Sequence, residues 1–280
     1  MHPEDYPKEP VGDFTPGIYN YCDRWCERCI YTEKCRLFAS EKIMMDYMKR
    51  KEERERSMEE NKAFWSQVDK IMEEAEDLFD KSVISYENDP SPMFEQWEDE
   101  EEIEDAMNEY EEFRKKASQH PVTKAASKYS FDAHNWFENR KDVVKQHYNP
   151  ETKVLKITYP GITDREVLQK LSNAAEVILW YEFQMSIKVK RALTSLYEEQ
   201  AEPEFFEGMQ KDSDGSARVA VIGINRSLAA WNYYFHHLQE EKESIRPIIR
   251  LLMWLKMEIE KEFPNAMNFM WPPPQRKQDI

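Results

Sequence analysis

The sequence predicts an all-α fold: a bundle of five or six helices preceded by a cysteine-rich segment. The chain has only six glycines among 280 residues, and none of them lies between Gly17 and Gly161. Sheets with tight hairpins usually need glycine at their turns, so this distribution disfavours them. Apolar residues recur at helical spacing in several long stretches, and nowhere do predicted strands alternate with helices. We therefore expect helices packed against one another.

The first part of the chain divides into an arm and a long helix. Four prolines and two glycines in residues 1–20 predict an extended arm. From about Ser40 to Ile84 neither glycine nor proline interrupts the chain. Apolar residues keep helical spacing between Phe64 and Phe79, which predicts that this stretch is helical.

Two further helices are predicted between residues 90 and 145. Ser91 as N-cap and Pro92 at the first helical position indicate the start of one helix, which continues to residue 118. Pro121 begins the next helix. Its inward-facing apolar residues are expected to continue as far as Val144.

The last part of the chain predicts one extended piece and three helices. Residues 149–163 include a short extended stretch that ends before a Pro-Gly turn. Asp164 is the expected N-cap of a long helix that continues to about Glu199. After a linker, a helix is predicted from Ser216 to about Lys242. Pro247 kinks it or starts a last helix over residues 248–263.

These elements predict three segments. Residues 1–38 form the extended arm and a metal-binding segment with four cysteines, residues 39–264 form the helical bundle, and residues 265–280 form a flexible, proline-rich tail.

Composition limits the partners that we expect. Lys and Arg number 39 against 55 Asp and Glu, so the formal net charge is −16. This charge opposes binding to nucleic acid and to anionic membranes. The N-terminus lacks the features of a signal peptide, and no apolar run is long enough to span a bilayer. We expect a cytoplasmic protein without membrane or nucleic-acid contacts, and the sequence leaves a protein partner open.

The most informative pattern is the clustering of all four cysteines within Tyr21–Cys35. Cys22, Cys26, Cys29 and Cys35 have the spacing C-x3-C-x2-C-x5-C. A reducing cytoplasm disfavours disulfides, and four thiolates complete either a tetrahedral zinc site or the corners of a [4Fe–4S] cluster. Zinc sites more often use two separated pairs, so four ligands in one short segment favour iron–sulfur over Zn²⁺.

Local features of the segment are consistent with a metal centre. Positive side chains that offset the charge of four thiolates lie between and beside the cysteines: Arg24, Arg28, Lys34 and Arg36. A helical conformation would place the first three cysteines on one face. Two alternatives without this centre stay open: no metal at all, or a redox pair at Cys26 and Cys29.

Two resemblances bear on the same residues. Cys26-x2-Cys29-x5-Cys35 resembles the end of the iron–sulfur loop of endonuclease III-type DNA glycosylases, which implies a [4Fe–4S] ligand set over ten residues. The string Cys22-Asp23-Arg24-Trp25-Cys26-Glu27-Arg28-Cys29 is similar to the C-x3-C-x2-C motif of radical S-adenosylmethionine enzymes. That resemblance implies a radical-type enzyme. This chain departs from the motif at Arg28, where the family usually has an aromatic residue, and it has no Gly-rich cofactor segment.

Outside the cysteines, one polar pair is a candidate site. Glu182 and Arg226 each interrupt an apolar stripe of a predicted helix, and we expect them to face each other as a buried ion pair. No catalytic constellation is visible, because the paired Glu-x-x-His motifs of di-iron bundles, the P-loop, GxSxG and HExxH are all absent. The sequence thus predicts a helical protein with one metal centre in a redox, sensing or structural role. The alternatives are a non-catalytic interaction protein with a structural zinc, and a radical-type enzyme.

Overall fold

A computed structural model of the chain describes residues 10–52, 100–141, 145–149 and 154–272. Contacts between Cα atoms divide the chain into two compact units. One comprises Met1–Phe14 and Cys35–Met107, and the other comprises Thr15–Lys34 and Asn108–Ile280. In the second unit we call Thr15–Lys34 the cysteine loop and the remainder the helical body. The three segments predicted from the sequence have other boundaries and stay a prediction.

Six α-helices and one β-hairpin form the regular structure of the described residues. The helices are α1 Arg36–Glu52, α2 Glu100–Gln119, α3 Pro121–Glu138, α4 Arg165–Ala201, α5 Asp212–His237 and α6 Lys242–Glu262. The hairpin consists of β1 Lys145–Asn149 and β2 Val154–Thr158, which pair antiparallel. The predicted all-α fold is confirmed, and a small hairpin is added to it. Every helix in these ranges is too short or too polar to cross a bilayer.

Four helices enclose the core of the helical body. α4 packs on α3 and α5, and α6 also packs on both of these helices. Large aromatic side chains fill the space between them and are almost completely buried: Tyr129, Trp136, Phe137, Tyr181, Trp231 and Tyr234. The hairpin packs on α4, where the Ile157 N–H donates to Ser172 Oγ over 2.8 Å. Apolar burial at about 25 cal/mol per Å² is the main stabilisation of such a core.

Side-chain caps fix the start of two helices where the sequence predicted them. Asp164 Oδ1 accepts hydrogen bonds from the N–H groups of Glu166 and Val167, which confirms it as the N-cap of α4. Pro121 is the first residue of α3, and His120 Nδ1 before it accepts from the Val122 N–H over 3.3 Å.

Other predicted boundaries need correction. α5 begins at Asp212 instead of Ser216, because a side chain from α4 caps it: Glu199 accepts from both the N–H and the hydroxyl of Ser213. The helix ends at His237, and Pro247 lies inside α6. The extended stretch predicted within 149–163 is found as β2, while its partner strand β1 was missed.

Several predictions lie outside the described residues. They are the helical stretch Phe64–Phe79, the start of a helix at Ser91 and Pro92, the inward position of Val144, and the tail from residue 273 onwards. The part of the predicted tail that is described packs on the helical body, because Ala266 and Phe269 are both buried.

Candidate metal centre

The cysteine loop is closed at its two ends by one backbone hydrogen bond. The Thr15 N–H donates to the Lys34 carbonyl over 2.9 Å. Between these residues the chain forms turns and two short 3-10 segments, Cys26–Arg28 and Thr32–Lys34, without an α-helix. The predicted helical face for the first three cysteines is therefore wrong. Arg24 interrupts any helix here, because its φ of 56° is a left-handed conformation that an α-helix does not contain.

All four cysteines are free thiols, and all are partly buried. Cys22 Sγ donates a hydrogen bond to the Tyr19 carbonyl over 3.4 Å. Burial raises the pKa of the Cys22 thiol above its ordinary value. Cys22 is therefore protonated at neutral pH in this conformation, and it must lose a proton before it can ligate a metal.

Two other sulfurs accept hydrogen bonds from the backbone. The Tyr31 N–H donates to Cys29 Sγ over 3.3 Å, and the Phe38 N–H donates to Cys35 Sγ over 3.4 Å. Backbone N–H groups donate in the same way to the sulfur ligands of iron–sulfur centres. Hydrogen bonds of this kind also tune the potential of iron–sulfur clusters. The chemistry of this donor set fits a thiolate-bound metal.

The side chains are not arranged for coordination in this conformation. In the described part of the chain, no three His, Cys, Asp or Glu side chains surround a point that could hold a metal ion. Cys22, Cys26 and Cys29 lie in the cysteine loop, whereas Cys35 belongs to the other unit and immediately precedes α1.

Asp23, between the first two cysteines, contacts the helical body through both its backbone and its side chain. Its backbone carbonyl accepts from Trp180 Nε1 over 3.0 Å and from Gln184 Nε2 over 2.5 Å. Its Oδ2 accepts from the Tyr181 hydroxyl over 2.5 Å and from Arg226 Nη1 over 2.6 Å. Burial and the bond to Asp23 raise the pKa of Tyr181 above its usual range. We call Trp180, Tyr181, Gln184 and Arg226 the Asp23 cradle.

Aromatic contacts extend the attachment on either side of Asp23. Trp25 stacks on Trp180 with ring centroids 5.2 Å apart and planes 14° apart. Tyr21 contacts Phe269 edge to face, and its hydroxyl donates to Asp212 Oδ1 over 2.9 Å. A Cβ at Gly215 would lie 2.5 Å from the Tyr21 ring, so only glycine permits this close approach to α5. The loop is thus attached to α4 and α5 through Tyr21, Asp23 and Trp25.

One of the positive side chains near the cysteines, Arg28, contacts the helical body. Arg28 forms an ion pair with Glu176 of α4, and its guanidinium lies 5.9 Å from the centre of the Trp25 ring. Arg28 therefore attaches the loop to the helical body in this conformation, while its predicted role beside thiolates stays a prediction.

Glu182 and Arg226 are not partners of one another among the described residues. Glu182 is only 4% exposed, as expected, and its Oε1 lies 3.5 Å from His134 Nδ1 of α3. Arg226 pairs with Asp23. Adjacent residues of a helix point about 100° apart, so Tyr181 faces Asp23 and Arg226 while Glu182 faces α3. The predicted ion pair is replaced by these two contacts.

Glu182 is an unusual group within the core. Its Oε2 is buried and has no hydrogen-bond partner in the described part of the protein. Burial raises the pKa of Glu182 to about 7, although His134 opposes this effect. The Glu182 carboxyl therefore titrates near neutrality.

Fold and loop together define a class: a helical protein with a closed loop that carries three of its four cysteines and is attached to the helices by several residues around Asp23. Comparisons of the chain with protein-family models, with curated proteins and with solved structures find no match in any of the three. The functional inference therefore depends on this chain's own residues.

Proposed function

We propose that this protein binds a metal centre through Cys22, Cys26, Cys29 and Cys35, and that the centre is a [4Fe–4S] cluster in preference to Zn²⁺. The observation that supports the proposal is the gathering of every cysteine of the chain within Tyr21–Cys35 as free thiols. Four thiols in one short segment match the donor number of both centres.

The chain's own groups favour thiolate ligation in two ways. Backbone N–H groups already point at Cys29 Sγ and Cys35 Sγ. Hydrogen bonds from α4 hold the backbone carbonyl of Asp23, which lies between Cys22 and Cys26 in the chain. A bound [4Fe–4S] cluster would supply one-electron redox chemistry or sensitivity to oxidants, and bound Zn²⁺ would supply structural order.

Metal binding requires a local rearrangement, which gives it a measurable signature. Cys22 has to release its proton and turn away from the Tyr19 carbonyl. Binding should therefore release protons, and the affinity should fall as the pH is lowered.

The decisive experiment is metal and sulfide analysis of protein purified without oxygen. A brown sample with iron and acid-labile sulfide, bleached by a reductant, supports the cluster. A colourless sample with one zinc per chain supports the structural alternative. S-adenosylmethionine binding to the brown form would instead favour a radical-type enzyme. The absence of iron, sulfide and zinc would contradict the proposal.

Substitutions in the loop test the ligands, with a matched control in the same segment. Cys29→Ser should lose metal and disorder the cysteine segment while the helical body stays folded by circular dichroism. Ile30→Ser introduces the same residue next to it, at a side chain that is 86% exposed, and should keep full metal content. Equal stoichiometry in both variants would remove Cys29 from the ligand set.

A further inference from the structure

One attachment point of the cysteine loop lies between two proposed ligands. Asp23 directly follows Cys22, and its four cradle contacts involve both its backbone carbonyl and its carboxylate. A residue held at both groups has little freedom to rotate. The backbone of Cys22 is therefore fixed through its neighbour.

The residues between Asp23 and Cys26 are fixed as well. The Trp25 N–H donates to Asp23 Oδ1 over 3.3 Å, and the Trp25 ring stacks on Trp180. Arg24, between them, is held in a left-handed conformation that costs about 1 kcal/mol or more for a residue with a side chain. The contacts of Asp23 and Trp25 with α4 and α5 help to offset this cost.

The cradle itself is a connected group. Arg226 donates to Asp23 and also to the Tyr181 hydroxyl, which in turn donates to the same carboxylate oxygen. A Cβ at Gly223 of α5 would lie 2.8 Å from the Tyr181 ring, so this ring packs directly against the backbone of α5. The two cradle residues that bind the carboxylate are thus supported by both helices.

We propose that the Asp23 cradle is the positioning device of the cysteine centre, so that metal binding and attachment of the loop to the helical body strengthen each other. The inference rests on the proposed function and adds specific residues to it: Tyr181 and Arg226 act on the metal through Asp23, and they touch neither metal nor sulfur. A preorganised ligand segment loses less conformational entropy when it binds. By linkage, the bound metal must stabilise the attachment by the same factor.

The test is a titration of the full chain with Co²⁺ alone, whose absorption spectrum reports coordination by thiolates. Tyr181→Phe removes one hydroxyl and keeps the buried ring, and Arg226→Ala removes the ion pair. Each should weaken Co²⁺ binding by about 10-fold or more, as supporting residues around metal ligands commonly do. Arg226→Lys keeps the charge and should restore part of the affinity.

Matched controls come from residues of the same types elsewhere in the helical body. Tyr197→Phe changes a partly buried tyrosine of α4, and Arg250→Ala changes an exposed arginine of α6. Both should bind Co²⁺ as the wild type does. Circular dichroism and urea unfolding of every variant check that the helices remain folded.

A second measurement separates positioning from a merely structural role. Co²⁺ should slow amide hydrogen exchange at Trp25 and Arg28 in the wild type, and this effect should be much smaller in Arg226→Ala. Unchanged affinity in both cradle variants, or metal protection that persists in Arg226→Ala, would overturn this inference alone. A wild-type chain that binds no Co²⁺ through thiolates would also overturn it, while the iron, sulfide and zinc analysis decides the proposed function separately.

Discussion

The cysteine loop and the core of the helical body are stabilised in opposite ways. In the core, Trp136 contacts Phe137, Trp231 and Tyr234 with ring centroids 5.0 to 5.5 Å apart, and each of these rings contacts others of the group. The loop has no α-helix or strand, and much of its hydrogen bonding to the body passes through one residue, Asp23.

This difference predicts where each region is vulnerable. Core stability is spread over many apolar contacts, so its loss requires removal of a large side chain. Attachment of the loop depends on a few polar and aromatic contacts, so small changes can release it while the helices remain folded.

The largest effect is expected from the core. Trp231→Ala removes a completely buried ring and should lower the free energy of unfolding by about 3 to 5 kcal/mol, measured by urea denaturation. Trp254→Ala is the matched control, because this tryptophan of α6 is 37% exposed, and it should cost less than about 1 kcal/mol. Equal costs would contradict the distinction between core and surface.

The next prediction concerns Glu182 of α4. It is a buried carboxylate, and its Oε2 has no hydrogen-bond partner in the described part of the protein. Its raised pKa means that the folded state holds a proton that the unfolded chain releases near pH 4.5. The free energy of unfolding should therefore fall as the pH rises from about 4.5 to about 7, and level off above. Glu182→Gln should remove this slope, which is worth about 1 to 3 kcal/mol.

The control for this prediction is Glu166→Gln, an exposed glutamate on the same helix. Unfolding curves of that variant at several pH values should give the same pH dependence of the free energy of unfolding as the wild type. If the stability of the wild type rose over the same pH interval relative to Glu182→Gln, the raised pKa of Glu182 would be refuted.

Gly215→Ala tests how closely the loop approaches the body. The added methyl group overlaps the rings of Tyr21 and Phe269, and overpacking of this kind costs about 1 to 3 kcal/mol. Alanine is more favourable than glycine in a helix interior by about 1 kcal/mol, so the free energy of unfolding should fall by at most about 2 kcal/mol in total. Faster reaction of Cys22 with a thiol reagent should accompany it. Ser216→Ala, one residue later, adds no volume and should leave that rate unchanged.

The smallest effect is expected at Arg28, whose side chain is 55% exposed in its pair with Glu176. Arg28→Ala should cost less than about 1 kcal/mol, and salt should reduce the difference further. Lys128→Ala removes a comparable exposed pair with Asp132 in α3. Thiol reactivity should rise slightly in the Arg28 variant and stay constant in the Lys128 variant, which would place the small effect in the loop.

The sequence was sufficient for features that depend on near neighbours. Helical periodicity and the N-cap at Asp164 identified α4, and both the cap and the burial of Glu182 are found in the structure. Pro121 likewise marked the start of α3. These signals are local, because helix caps and amphipathic stripes involve residues within a few positions of each other.

Features set by distant residues were not predictable in the same way. α5 starts at Asp212 because Glu199 reaches it from another helix, whereas the local sequence around Gly215 indicates a turn. Arg226 is paired with a residue 203 positions away, and no periodic pattern reports such a contact. The role of Asp23 was missed for that reason, and its only signal was its place between two cysteines.

The closed ends of the cysteine loop have a consequence for proteolysis. The chain enters and leaves the loop at the Thr15–Lys34 hydrogen bond, and Ile30 projects into solvent towards the end of the loop. A protease that cuts beside Ile30 would leave an N-terminal fragment that is still bound to the helical body through Asp23. A nicked molecule would therefore migrate as one particle under native conditions and separate into two pieces only in denaturant.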